Sequence, residues 1–572
     1  MRTPGDGAGS GRLAEIPWWA RAIACALLAV FALQASVAAR RDSVTIDEFV
    51  HLPLGLYNLY TCDFRDDPIN PPLPRMIAAL ALLRRPPAFN PEPGTAHWSM
   101  GYHLMQRNVE DYQAIYVAAR SMMILLACVV ATLVFLWTTE LYGWQSGLAA
   151  LVLFAFSPTM LAHGHLVTLD MSGVLGFTVT AYATWRMLAR ATLWSAVVVG
   201  AALGAATLLK LSGFVLVAFV VLCVLVRALS EPVRGRGGRR ATVVLWARLL
   251  VAAAVACVVT LNVGYGFEGT MAPLTDATLD ARGQLAALRD AAPWLRLPLP
   301  LPLINGIDMV LNVGKQSDPS YFLAGELTSE GWWYYHLAAF AVKTPLPLAA
   351  LGIFALVMWV ARRSPGLREY CLFTPVLIIF ASNSLFNSLQ IGVRHVLPVY
   401  AFLMIGGAPW LVRALATWRR PGAARWPAAL AALGLVWFVA GSAAVAPRYL
   451  QYFNEIGGGP AGGHRMLVDS NIDWGQDLIR LREYMDREQL DYVNLAYFGR
   501  VDPAVYGIRF VPLERGRVRG PVVISASFLM GRPYFWVLGG RMRWVPSRTY
   551  TWLQDFEPVA RVGSMFVFDL EE

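Results

Sequence analysis

Apolar runs long enough to cross a bilayer recur along this chain, near residues 17–39, 117–137, 147–166, 171–189, 194–210, 212–228, 246–264, 346–361, 370–388, 394–413 and 427–446. Crossing about 30 Å of hydrocarbon takes about 20 mostly apolar residues, and the backbone polar groups must be satisfied inside the segment. Such runs restrict the chain to a bundle of membrane-spanning helices. Composition agrees: 56% of residues are hydrophobic and 15% charged, where a soluble chain has about 25% charged.

The net charge of +10 does not point to nucleic acid, because the basic residues sit in short connections between the apolar runs. They are Arg186 and Arg190, Arg227 to Arg248 through RGRGGRR, Arg362, Arg363 and Arg368, and Arg413 to Arg425 through WRRPGAAR. That asymmetry sets orientation in a membrane. It places the N-terminus in the cytoplasm and, with about eleven spans, the C-terminus outside. The opening MRTPGDGAGSGR reads as a polar tail, and the run after it lacks a small-residue cleavage site. Five cysteines lie inside apolar runs and Cys62 in an outer loop, which is neither a disulfide framework nor a zinc pattern.

Three outer segments are large. The first, about 40–116, contains DDPINPPLPRMIAALALL, whose apolar part is too short to span and suits the interface. The second, about 265–345, carries GWWYYH, fitted to headgroup depth. In the tail, DWGQDLIRLREYM reads as an amphipathic helix, and YVNLAYFG, PVVISASFL and SMFVFDL read as strands. The expected architecture is a polytopic α-helical membrane protein of about eleven spans, with extracytoplasmic interfacial helices and a small C-terminal α/β domain. Its expected units are 1–446 and 447–572. No internal repeat suggests a two-fold transporter.

TIDEFVHLP, residues 45–53, puts Asp47 and Glu48 where the chain leaves the first span. Carboxylates beside hydrocarbon are costly and suggest function, although the same acids suit the first turn of a capped helix. Neighbours on a helix diverge by about 100°, so one of the pair faces a given site. Asp170, closing HGHLVTLD, lies at the same face and also suits a helix cap. Two such carboxylates suit base work or charge stabilisation. Asp47 and His51 are four apart, and His163 and His165 flank a glycine near Asp170. A mixed carboxylate–imidazole site for Mg, Mn or Zn is chemically open, with Asp47, His51 and Asp170 as its ligands.

Of 48 basic residues only Lys210, Lys315 and Lys343 are lysines, all at or beyond the outer boundary. Lys is a compact charge suited to phosphate. Arg394, in IGVRHVLPVY, is a further cation at an outer helix end. Acids and cations at one depth suit an amphiphile, a lipid-borne phosphate carrying a polar group.

TIDEFVHLP, NPPLPR, FSPTMLAHGHLVTLD, LLKLSGF, YFLAGELTSEGWWYYHLAAFAVKTPLPL, IGVRHVLPVY and YFNEIGGGPAGGHRMLVDSNIDWGQDL together resemble bacterial GT-C glycosyltransferases. The likeness is to the branch holding protein O-mannosyltransferases and lipid A aminoarabinose transferases, over most of the chain and in the same order. The resemblance implies a polyprenyl-phosphate-linked sugar donor and inverting transfer to a protein, lipid or glycan acceptor on the outer face of a bacterial inner membrane. It implies Asp47 as general base, Glu48 and Asp170 as supporting acids, and Lys210 and Arg394 on the donor phosphate. Asn70, His165, Lys343, Asp469 and Asp473 are further candidates for donor or acceptor contacts. Asn70 stands where relatives often have His or Lys, and Asp67 is one position from an acid found in some of them.

Two other classes fit a polytopic chain with outer charges. A lipid or sugar transporter would place charge near the bilayer midplane on broken helices, and a metal-dependent membrane hydrolase would use Asp47, His51 and the HGH pair.

Overall fold

The computed structural model describes residues 9–570, apart from 93, 231–237, 282, 313–317, 362–365, 387–388, 515–517 and 539–540. After a short α1 (Gly9–Ala14), the chain enters the bundle as α2 (Trp18–Arg41). Between α2 and the next long helix the chain folds as α3 (Ile46–Thr61), α4 (Leu73–Ala79) and α5 (His97–Arg107). The bundle resumes with α6 (Tyr112–Tyr142), α7 (Trp144–Ala155), α8 (Pro158–Gly164), α9 (Asp170–Ala189), α10 (Leu193–Leu209), α11 (Leu216–Ser230) and α12 (Gly238–Gly264). The long connection after α12 holds α13 (Gln284–Ala291), α14 (Leu301–Leu311), the hairpin β1 (Tyr321–Leu323) and β2 (Glu326–Thr328), and α15 (Tyr335–Lys343). Four helices complete the bundle: α16 (Leu346–Val360), α17 (Leu367–Leu385), α18 (Pro398–Ala416) and α19 (Trp426–Val445).

Every apolar run is helical over most of its length. Among the described residues six helices are long and apolar enough to cross a membrane: α2, α6, α11 with the turn before it, α12, α18 with its extension, and α19. The pair α7–α8 makes a seventh if taken as one span, bent by 65°. The bend falls at Ser157, whose hydroxyl accepts from Met160 N–H, directly before Pro158. Proline disfavours helical geometry in the residue ahead of it and supplies no N–H of its own. The expected count of about eleven is therefore met by helices but not by full-length apolar spans. Helices α10 and α16 have 17 and 15 residues, short of the usual crossing length, and α9 and α17 are more polar.

After α19 come α20 (Gly459–Gly462), α21 (Leu478–Arg487) and a five-stranded sheet ordered β4-β3-β5-β9-β8. Its strands are β3 (Val493–Ala496), β4 (Phe510–Pro512), β5 (Gly520–Ser525), β8 (Ala560–Val562) and β9 (Met565–Leu570), with α22 (Ala526–Leu529) after β5 and a separate hairpin of β6 (Tyr534–Leu538) and β7 (Arg541–Val545). Strands β4, β3 and β5 run parallel, and β9 is antiparallel to both β5 and β8. The three strands expected from sequence form the middle of this sheet; the expected amphipathic helix begins only at Leu478.

This C-terminal segment shares its core with α3, α4, α5 and the start of α6. Leu478, Leu481, Val493, Leu495 and Val523 pack in one buried cluster with Phe49, Leu52, Leu104 and Tyr116. Arg480 Nη2 donates to Asp42 Oδ1 at 2.7 Å, and Ser43 N–H to the Gln476 carbonyl at 2.8 Å. The turn between α2 and α3 is thereby fixed from above.

Candidate active site

Helix α3 separates the roles of its two acids. Glu48 is fully buried and closes a capping box, its Oε2 accepting from Thr45 N–H and Oγ1 at 3.0 Å each. Arg120 of α6 meets the same carboxylate at 2.8 and 2.5 Å, and Val167 N–H adds a bond at 3.0 Å. Burial alone would raise the Glu48 pKa; Arg120 and these N–H donors hold it below its usual value. Arg120 also donates to the carbonyls of Ala39, Asp42 and Ser43. Glu48 thus anchors the entry to α3, and the helical offset turns Asp47 the other way, into a cavity of about 990 Å³.

Asp47, His51, Asn70, Asp170, Lys210 and Arg394 all line that cavity. Asp170 is the first residue of α9, where a carboxylate is favoured by the helix dipole. Lys210 ends α10, and its Nζ donates to Asp170 Oδ1 at 2.7 Å. Arg394, just before α18, donates through Nη1 to Asp47 Oδ2, and the same nitrogen lies 3.8 Å from Asp170 Oδ2. Its Nε has no partner among the described residues. The guanidinium carbon sits 4.4 Å from the ring centre of Trp474. Two carboxylates and two cations therefore alternate around one end of the cavity, all from the ends of helices.

Behind this cluster, Asn70 Nδ2 bonds to Asp67 Oδ1 at 3.0 Å, and buried Arg75 links Asp67 to Asn58 at 3.1 and 2.8 Å. His97 Nδ1 lies 2.9 Å from Asp66 Oδ1. Burial opposes charge on His97, but Asp66 and Asp67 hold its pKa above the usual value. Burial pushes His51 the other way.

The remainder of the cavity is mostly apolar, with Ser212, Ser382 and Asn383 among its polar lining. It runs from the cluster between Phe214, Val217 and Val221 on the α11 side and Ile378, Ala381 and Phe386 on the α17 side. Phe214, Val217 and Phe386 are exposed, so this groove opens onto the surface that hydrocarbon would cover.

The structure leaves the other expected contacts outside the cavity lining. His165 is buried with Nδ1 on the Leu161 carbonyl at 2.9 Å and Nε2 on Asp42 Oδ2 at 3.1 Å. It is His163 that approaches Asp170, at 3.9 Å. Lys343 donates to the carbonyls of Leu450, Tyr452 and Asn471 at 2.8, 2.6 and 2.7 Å. Asp469 pairs with Arg532, and Asp473 is enclosed by Ser525, Ser527 and Ser564. Lys315 lies outside the described residues. Asp47, His51 and Asp170 share the cavity, but among the described residues no group of three or more His, Cys, Asp or Glu could hold a metal ion. Both acids are already joined to cations, so the donor set does not fit a divalent ion held by protein alone.

Sequence reasoning missed Arg120, His395 and the cavity-facing role of His97. Arg120 was detectable as a charge at the start of an apolar run. His395 follows Arg394 directly, lines the cavity, and has Nε2 without a partner among the described residues.

No protein-family model matches the chain, and no curated protein sequence does. Among solved structures it is similar to ArnT from Cupriavidus metallidurans bound to undecaprenyl phosphate, at 13% identity and a TM-score of 0.47, over 96% of this chain and 97% of that one. It is similar to the apo oligosaccharyltransferase of Archaeoglobus fulgidus, at 13% identity and a TM-score of 0.45, over 93% and 75%. It is also similar to the S. cerevisiae protein O-mannosyltransferase Pmt1–Pmt2 complex bound to the sugar donor, at 16% and 0.33, over 44% and 34%.

Proposed function

We propose that the protein is a membrane glycosyltransferase that moves a sugar from a polyprenyl-phosphate donor to a hydroxyl-bearing protein, lipid or glycan acceptor, at the outer face of a bacterial inner membrane. One observation carries this reading. A single cavity joins an acid–cation cluster to an apolar groove open to lipid, which is the shape and polarity of a phosphorylated lipid. The polyprenyl chain would lie between α11 and α17, with the phosphate at Lys210, the unpartnered Arg394 Nε and His395. The sugar would then stand beside Asp47, Asp67 and Asn70. Residues 447–572 would form an outer unit seated over the site.

Asp47 would act as the base. In the resting site it is held by Arg394; a donor phosphate competes for that guanidinium and frees the carboxylate as the substrate arrives. The acceptor oxygen attacks the sugar's anomeric carbon, its proton passes to Asp47, and the bond from that carbon to the phosphate oxygen breaks with inversion. Lys210 and Arg394 take up the charge left on the polyprenyl phosphate, which needs no proton to depart. Asp170 keeps Lys210 aimed and opposes surplus positive charge. The cluster sits at helix ends rather than at mid-span, which favours this reading over a transporter.

The test supplies purified protein with undecaprenyl-phosphate sugars and membrane extract and measures released undecaprenyl phosphate. Asp47→Asn should lower turnover by roughly 10²–10⁴-fold, the range for a lost general base. Full turnover in both Asp47→Asn and Lys210→Ala would sink the assignment.

A further inference from the structure

The segment VDSNIDW, residues 468–474, is not part of the cavity lining, yet it touches Arg394 of the acid–cation cluster and the backbone beside Asp47. Trp474 is 1% exposed. Its ring carries the Arg394 guanidinium on one face at 4.4 Å and meets the His163 ring at 6.3 Å in a T-shaped contact. Its carbonyl accepts from Ile46 N–H at 3.1 Å, one residue before Asp47. The preceding residues grip the loop leading to Arg394. Asn471 Oδ1 accepts from Val393 N–H at 3.0 Å, and Ser470 Oγ donates to the Ile391 carbonyl at 2.5 Å. Lys343 in turn fixes the Asn471 carbonyl.

We infer that VDSNIDW is a positioning clamp through which the C-terminal segment sets the active-site geometry, with Trp474 as the residue that holds Arg394 within reach of both Asp47 and the donor phosphate. The inference rests on the glycosyltransferase reading. A guanidinium buried beside two carboxylates can adopt several bonded positions; a flat aromatic face restricts it to sliding in one plane. Arg394 can then exchange Asp47 for phosphate without leaving the ring. Because the same residue fixes Ile46 through its backbone, base and cation are registered against a common support, although they lie in distant parts of the chain.

Trp474→Phe keeps an aromatic face, whereas Trp474→Leu keeps an apolar residue and loses it. Both would be made in the full-length protein, with thermal melting, binding of undecaprenyl phosphate alone, and kcat and KM for an undecaprenyl-phosphate sugar as readouts. With closely similar melting, Trp474→Phe should stay within about threefold of wild type, while Trp474→Leu binds undecaprenyl phosphate about tenfold more weakly, the scale of one desolvated cation–π contact. Arg394→Lys should cost less in the Trp474→Leu background than in wild type, because the part of its contribution that depends on the ring is already lost. Equal losses in the Phe and Leu variants, or wild-type binding in Trp474→Leu, would overturn the clamp while leaving the donor site standing. If either variant fails to fold, Asn471→Ala replaces it: weaker undecaprenyl phosphate binding supports the clamp and wild-type binding overturns it. Wild-type protein that binds no undecaprenyl phosphate would overturn the donor-site reading itself, and the clamp with it.

Discussion

The ammonium of Lys210 lies 2.7 Å from Asp170 Oδ1, joining the end of α10 to the start of α9 at the mouth of the lipid-facing groove. Asp170 is almost wholly buried while Lys210 keeps a partly exposed surface toward the cavity, so the pair is a cation offered to a ligand and backed by an acid. Lys210→Ala should weaken undecaprenyl phosphate binding by about 10–150-fold, corresponding to a charged hydrogen bond of about 1.5–3 kcal/mol. Lys210→Arg should recover only part of this, because a planar fork does not replace a compact charge on so short a reach. Titration with the lipid in detergent or nanodiscs measures both.

Glu48 and Arg120 form a pair of a different kind, both fully buried and away from the cavity. Glu48→Ala leaves a guanidinium without its partner and removes the capping box, with an expected loss of about 3–5 kcal/mol. The readout is thermal unfolding, which should fall far more than in Asp47→Asn. If Glu48→Ala melted like wild type and lost only turnover, the anchoring role would be wrong.

These two pairs mark where the sequence was legible and where it stopped being so. The apolar runs foretold the helices because burial in lipid leaves little else for them to form. Asp47, Asp170, Lys210 and Arg394 could be singled out because charge at a helix end beside hydrocarbon is costly enough to imply use, and the structure brings all four to one cavity. The division of labour within TIDE was not legible, since it depends on Arg120, which approaches Glu48 from another helix. The partners of Lys343 were hidden for a related reason. Its compact charge suits a phosphate, but three backbone carbonyls engage an ammonium as well as a phosphate does, and composition does not distinguish them. Which histidine of the HGH pair stands beside Asp170 was not legible, because the turn after α8 sends His165 toward Asp42 and leaves His163 beside Asp170. The groove was invisible because α11 and α17 are far apart in the chain and meet only in the folded bundle.

Asp473 gives the C-terminal segment a pH dependence. Burial, reinforced by Asp477, pushes its carboxyl up to about 7 despite bonds from Ser527 N–H and the Ser564 hydroxyl. Between the ordinary 3.8 and about 7 the folded protein holds a proton that the unfolded chain has released. Stability therefore falls as pH rises through that window, by at most about 1.4 kcal/mol per pH unit for one proton. Thermal melts from pH 4.5 to 7.5 should decline in wild type and be flatter in Asp473→Asn. An identical slope in both proteins would remove Asp473 as the cause.

The groove itself can be tested without touching the charged cluster. Ala218 lines it on the α11 side, where a larger side chain would occupy the path of a lipid tail. Ala218→Trp should weaken binding of undecaprenyl phosphate by at least about tenfold, a loss of roughly 1.4 kcal/mol, while a short-chain analogue such as citronellyl phosphate loses much less. Equal losses for both lipids would mean that the tail lies elsewhere.

Gly173 tests the aim of Lys210. It faces the lysine stem from α9, and a Cβ built there would stand 2.9 Å from Lys210 Cδ. The stem is tethered at its far end by Asp170, so it yields only by moving its ammonium. Gly173→Val should displace that ammonium and reproduce most of the binding loss of Lys210→Ala, although it changes no charge. Because Gly lowers helix stability relative to larger residues, the variant's backbone gains helical propensity even as the packing suffers. Near-normal melting combined with weak undecaprenyl phosphate binding would therefore place the defect in the position of the lysine. Wild-type binding in Gly173→Val would mean that the stem has room to yield and that the glycine serves only the packing of α9 against α10.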